Sequence, residues 1–228
     1  MKDSNHIPNK SSSYRRVLVT SGPTRGYIDR IRYVANSSSG KLGSRIIEAL
    51  VSQGIPVIHL HGCGSEYPNV NDNLLLETIE VETVNDLINS VKRVSLRGDI
   101  CAVVHAMAVL DYVPESTLKD KKPSGDTFWD IRLKRTQKVI SIIRELMPDA
   151  YTVGFKLETD VTEEELVKRA CVLLTKNNLD LVVANDLERV SGDYHKAVIV
   201  GPENTIVART DTKEKIAELI TEFILENQ

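Results

Sequence analysis

The feature that most constrains this chain is an alternation of short, nearly continuous apolar runs with amphipathic stretches of helical period. The runs fall at 16–20 (RVLVT), 56–61, 74–79, 100–106 (ICAVVHA), 151–156 and 181–184 (LVVA). Several are β-branched or apolar almost throughout, as strands covered on both faces should be. Between them, Leu42, Ile46, Ala49 and Leu50 mark a helix that ends before Gly54. Leu166, Val167, Ala170, Leu173 and Leu174 mark a second, opened by Glu163, Glu164 and Glu165, whose charges suit a helix N-terminus. Ile216, Leu219, Ile220, Phe223 and Ile224 give the cleanest stripe, near the end of the chain. The fold class expected is α/β, a Rossmann-like, doubly wound and mostly parallel sheet with helices on both faces.

Two stretches break the pattern. Residues 111–135 carry prolines, lysines and the single tryptophan, and are long for a strand-to-helix connection, so they predict a flap or projecting hairpin. Residues 197–208 read as two short strands around Gly201-Pro202-Glu203-Asn204. Residues 1–13 are polar, lack the apolar core of a signal peptide and read as a disordered tail, leaving 14–228 as one domain.

Bulk properties narrow the partners. With 41% hydrophobic and 27% charged residues over 228 positions, the composition is ordinary for a globular chain. A formal net charge of −3 gives no reason to expect nucleic acid or an anionic membrane, and no apolar run approaches spanning length. Cys63, Cys101 and Cys171 lie far apart without metal-ligand spacing, so neither zinc nor a disulfide framework is expected, and no metal ligands are assigned. Their odd number and the absence of a secretory segment favour a reducing cytoplasm.

Ligands of open α/β sheets bind beyond the carboxyl ends of the strands. Four segments there carry groups suited to phosphates or polar bases. The first strand runs into Ser21-Gly22-Pro23-Thr24-Arg25, where small residues admit a phosphate and Thr24 offers a hydroxyl; a simple turn would look the same. Arg32 to Gly43 (RYVANSSSGKLG) then leads into a helix, so free N–H groups and the positive dipole end would face an anion. A serine-rich cap is the plain alternative, but four small polar residues ahead of GKxG exceed what capping needs. The third segment is 105–112 (HAMAVLDY) with the lysines of 119–122 (KDKK), and the fourth pairs 154–159 (GFKLET) with Ala184-Asn185-Asp186. His105, His59 and His61 read as packed strand residues. The serine loop is not a P-loop, because Leu42 follows Gly40-Lys41 and Ala35 stands where the first glycine belongs. No tyrosine has a lysine four positions on, which disfavours a short-chain reductase; a non-catalytic nucleotide-binding module stays open.

Taken together, VTSGPTR at 19–25, RYVANSSSGKLG at 32–43, AMAVLDY at 106–112, KDKK at 119–122, GFKLET at 154–159 and NLDLVVAND at 178–186 resemble the phosphopantothenate–cysteine ligase family, from about Val17 to the final helix. The resemblance implies that 4′-phosphopantothenate is activated by CTP, with ATP as the other choice, to an acyl-nucleotidylate that cysteine then captures. It implies catalytic roles for Asn36, Lys119 and Asp111, and nucleotide contacts at Gly22, Thr24, Ser37, Ser39, Gly40, Phe155, Lys176 and Asn185. Substrate contacts fall at Arg32, Asn36 and Ala106. It further implies Mg²⁺ on the nucleotide and a homodimer in which the flap reaches the partner's site. Many relatives are fused behind a flavin-containing decarboxylase; this chain has no room for one, so a stand-alone form without flavin is expected. Lys156 departs from the small residue that fused relatives carry there.

Overall fold

The computed structural model describes residues 15–71 and 73–227, so the tail expected at 1–13 lies outside the described residues. In chain order, β1 (Arg16–Ser21), β2 (Arg25–Tyr27) and β3 (Tyr33–Ala35) precede α1 (Lys41–Ser52). Next come β4 (Val57–Gly62), β5 (Leu76–Val81), α2 (Val84–Ser95) and β6 (Ile100–His105). The short strands β7 (Tyr112–Pro114) and β8 (Leu133–Arg135) are followed by α3 (Val139–Leu146), β9 (Tyr151–Glu158) and α4 (Glu163–Asn177). The chain ends in β10 (Leu181–Ser191), β11 (Tyr194–Val200), β12 (Ile206–Thr212) and α5 (Lys213–Glu226).

Eight strands form one sheet in the order β12-β11-β10-β9-β6-β1-β4-β5. The ladders from β5 across to β10 are parallel, and β11 and β12 add an antiparallel margin. Side chains alternate across the sheet as a twofold period demands. Val17 and Val19 of β1 join a core with α1 and α5 on one face, while Leu18 joins α2 and α3 on the other. Val182 and Ala184 of β10 pack under α4. The doubly wound expectation therefore holds, and strand order reverses between β1 and β6, the connection from β1 leaving toward β4 and that from β6 toward β9.

The helix boundaries have local causes. Thr83, Thr162 and Thr212 each accept a backbone N–H at the start of α2, α4 and α5. Gly54, at φ 74°, follows α1 in the left-handed conformation that glycine tolerates best. The strand expected at 74–79 starts two residues later, because Asn73–Leu75 form a 3-10 turn that leaves Leu74 in solvent. The strand expected at 181–184 continues to Ser191, since β11 pairs with its far end at Val190 and Ser191.

Helix α1 lies close against the end of β1. A Cβ added at Gly43 would sit 2.3 Å from Cβ of the buried Ser21. Gly43→Ala should therefore lose about 1–3 kcal/mol through overpacking, despite alanine's better helix propensity. Urea denaturation checks this; unchanged stability would show that the two elements can separate freely.

Candidate functional site

Beyond the sheet, the loops leaving β1 and β6 run side by side. Ala106 N–H donates to Thr20 O at 2.9 Å, Ala108 N–H to Gly22 O at 2.8 Å, and Thr24 N–H to Ala108 O at 3.3 Å. The fully buried Thr24 hydroxyl accepts Leu110 N–H at 3.0 Å. This zipper holds the rim at the point where strand order reverses. Thr24 thus pins the rim, with its oxygen already engaged.

The loop into α1 rests on this support. Gly22 and Gly40 both have positive φ, 79° and 75°, and pack around Ser65 of the turn after β4. A Cβ at Gly22 would lie 1.7 Å from Ser65 Oγ, so any side chain there would force the turn away. Gly40 is the N-cap of α1, and unlike the threonine caps elsewhere it brings no side-chain acceptor. Lys41 N–H reaches Ser39 Oγ only at 3.3 Å, and the first turn holds no acidic residue, whereas α2 and α5 each have one and α4 has three. The positive end of α1 is left open to an outside anion.

Two clefts adjoin along the ends of β6 and β9. The smaller, about 170 Å³, gathers Ser37, Ser39, Gly40, Ala106 and Asn185. The larger, about 540 Å³, gathers Asp111, Phe155 and Lys176. His105 lines the larger cleft and its neighbour Ala106 the smaller, as do Lys156 and Leu157 in turn. Asn36 is exposed and lines neither cleft, but its Nδ2 donates to the carbonyl of Val109, which lines the larger one, at 3.2 Å.

The larger cleft is rich in charge. Asp111 pairs with Lys138 at 2.5 Å, and Glu158 holds both Lys156, at 2.7 Å, and Arg169, at 2.5 Å. Lys168 and Lys176 also line it, with no carboxylate partner among the described residues. His105 Nδ1 lies 2.7 Å from Thr20 Oγ1, and burial pulls its pKa down to about 4. It is a neutral strand residue at physiological pH. Asp186 is buried and accepts N–H groups from Asp160, Val161 and Glu188, which lower its pKa and fix the β9–α4 loop.

Arg32 and Lys119 line neither cleft. Arg32 donates through Nε and Nη2 to the fully buried Asp29, through Nη2 to Lys122 O, and stacks 4.4 Å from the Trp129 ring centroid. It anchors the 115–132 loop, which β7 and β8 close at its base by pairing antiparallel. Lys119 is exposed on that loop. Sequence reasoning did not find Lys138, His195 or Lys213, which the fold brings to the clefts from outside the motifs. Among the described residues no group of three His, Cys, Asp or Glu side chains could hold a metal.

The model of the DNA/pantothenate metabolism flavoprotein C-terminal domain family matches residues 12–227. The chain belongs to this family. It covers the span over which the motifs resemble phosphopantothenate–cysteine ligase. Among relatives, the coenzyme A biosynthesis bifunctional protein CoaBC of Thermococcus kodakarensis is 36% identical over 94% of this chain and 52% of its own length. Its counterpart in Methanocaldococcus jannaschii is 31% identical over 92% and 50%. The chain thus spans about half the length of these relatives. A solved DNA/pantothenate metabolism flavoprotein from Streptococcus pneumoniae superposes with a TM-score of 0.85 at 35% identity, over 94% of this chain and 100% of that one.

The Arg32 anchor makes a testable statement about this family member. The Arg32 guanidinium holds the Asp29 carboxyl well below the usual carboxylate range, ahead of the opposing effect of burial. A depressed folded value means the clamp is fully present above about pH 4 and is lost only as pH falls through that lower value. Asp29→Asn should make Trp129, the sole tryptophan, markedly more open to acrylamide quenching at neutral pH. Unchanged quenching would show that the loop does not depend on this pair.

Proposed function

We propose that this domain is the ligase of coenzyme A synthesis that joins 4′-phosphopantothenate to cysteine at the expense of CTP. The observation that carries the reading is the open, glycine-led end of α1, which faces Ala106 and Asn185 across one cleft and adjoins the cleft of Asp111 and Phe155. Its relatives among the bifunctional proteins of coenzyme A biosynthesis point the same way.

A carboxylate is a poor acyl donor until its oxygen becomes a good leaving group. In the first step a carboxylate oxygen attacks the α-phosphorus of CTP and pyrophosphate departs. In the second the amine of cysteine attacks the acyl carbon, loses a proton, and CMP departs with the electron pair of the broken C–O bond. Most of the protein's share is then positioning and stabilisation of charge. Ser37, Ser39 and Gly40, over Gly22, take the polyphosphate. Phe155, Lys176 and Asn185 frame the nucleoside, with Asp111 on its hydroxyl groups. Asn36 is a neutral donor for the acyl carbonyl, beside Ala106. Mg²⁺ would accompany the nucleotide and offset the charge of its phosphates.

The proposed homodimer would account for Lys119. Exposed Ile31, Tyr33, Tyr112, Phe128 and Leu133 cluster in sequence around the short ladders β2–β3 and β7–β8, as an interface would require. Lys119, remote from the clefts of its own chain, serves the partner's site in this reading. No helix among the described residues is long and apolar enough to cross a membrane; the cytoplasm is the compartment proposed.

Turnover with each of the four nucleotides should be sustained only when 4′-phosphopantothenate and cysteine are both present, fastest with CTP; without cysteine, release should stop at about one equivalent of pyrophosphate and no nucleoside monophosphate. Asn36→Ala should lower kcat by about 10²–10³, the usual effect of losing one oxyanion donor. Tight CTP binding without turnover, unaffected by that change, would instead mark a non-catalytic module. Lys119→Gln should depress kcat far more than CTP affinity, as expected for a charge used in the transition state. Equal losses would make Lys119 a binding residue only.

A further inference from the structure

The smaller cleft has a second wall. Opposite the serine loop stand Val190, His195 and Lys213, contributed by the β10–β11 hairpin and the start of α5. His195 is only 7% exposed, yet neither of its ring nitrogens has a hydrogen-bond partner among the described residues. Buried polar atoms are nearly always satisfied, so an imidazole unpartnered at both nitrogens and lining a cleft is a donor awaiting an acceptor. Beside it Lys213 is equally buried, and its Nζ donates to Gly192 O at 2.5 Å. Lys41, on the opposite side, pairs with Asp193 at 2.8 Å and ties the tip of the hairpin to α1.

We propose that the β10–β11 hairpin completes the polyphosphate subsite, His195 donating a hydrogen bond to the terminal phosphates of the nucleotide while the Lys213 ammonium offsets their charge. This deepens the ligase reading and rests on it for the identity of the nucleotide. Charge favours phosphate, and the adjoining larger cleft leaves separate room for base and sugar. The open end of α1 attracts an anion from one side, and Lys213 does so from the other. Burial, and then the neighbouring Lys41 charge, lower the Lys213 pKa, a conflict that a bound anion relieves. Burial likewise keeps His195 neutral, its pKa pulled down to about 4, and a neutral imidazole still offers one N–H.

The test uses inorganic pyrophosphate, CTP and CMP as calorimetric probes of the whole chain. His195→Ala should weaken pyrophosphate and CTP about tenfold, the scale of one hydrogen bond to a charged group, and leave CMP unchanged. His195→Gln, which restores an N–H donor, should recover part of the loss. Lys213→Met, which keeps the buried stem, should show the same selectivity and covers the case in which His195→Ala does not fold. Equal weakening of CMP and CTP, or no change in pyrophosphate binding, would overturn the proposal. A wild-type chain that binds pyrophosphate in this His195-dependent way but turns over no nucleotide would refute the ligase reading and keep the anion subsite.

Discussion

The structure depends on how closely backbones can approach where strand order reverses. At that point β1 and β6 diverge in their connections but not in space, because hydrogen bonds at Thr20, Gly22 and Ala108 carry their pairing past the sheet. The zipper fixes the height of Ala106 and of the Val109 carbonyl, and so the place of Asn36, which hangs from that carbonyl. It also requires Gly22, since the φ of 79° and the contact with Ser65 leave no room for a Cβ. Gly40 meets the same turn from the other side. A side chain at either glycine would lift the end of α1 off the rim, and the open N–H groups would no longer point into the cleft.

Much of this was legible in the sequence where the physics is local. The apolar runs of β1, β4, β6 and β9 announce themselves because both faces of each strand are covered. Threonine caps and acidic first turns mark α4 well, and the stripe from Ile216 to Ile224 marks α5. The short ladders β2–β3 and β7–β8 escaped, because three-residue strands carry too little pattern to separate from loop. Helices α2 and α3 went unnamed, although both are strongly amphipathic. The far half of β10 escaped for another reason: it is largely exposed, so LERVS carries no apolar run, and the ladder to β11 shifts register before Val190.

The site divides along the same line. Asp111, Phe155 and Asn185 are visible because they lie in or shortly after strands that are themselves visible, and the serine loop because it leads into the visible helix α1. Their meeting in two adjoining clefts is a consequence of the parallel topology. Lys138, His195 and Lys213 have no such marker; they reach the clefts through a helix cap, an antiparallel hairpin and the first residue of α5. Thr24 sits inside a motif and still has a structural task, since its hydroxyl is committed to Leu110 N–H. Motif membership identifies a neighbourhood, and only packing decides which of its atoms are free.

Arg32 shows how a side chain engaged in packing can keep a donor free for the chemistry proposed for it. A guanidinium carries donors on Nε and on both Nη atoms in a fixed plane. Here Nε and Nη2 are spent on Asp29 and Lys122 O, and the face of the group lies against Trp129. Nη1 has no hydrogen-bond partner among the described residues, so the edge opposite Asp29 can still meet a phosphate without breaking the clamp. The buried Asp29 then has two effects. It holds the charge in place, and by neutralising part of it, it limits how strongly any anion is drawn. An arginine so held binds less avidly than a free one, but it keeps its orientation and loses little side-chain entropy when a phosphate arrives. In the proposed ligase reaction, which must release a phosphorylated product each cycle, a moderate and well-oriented grip serves turnover better than a tight one.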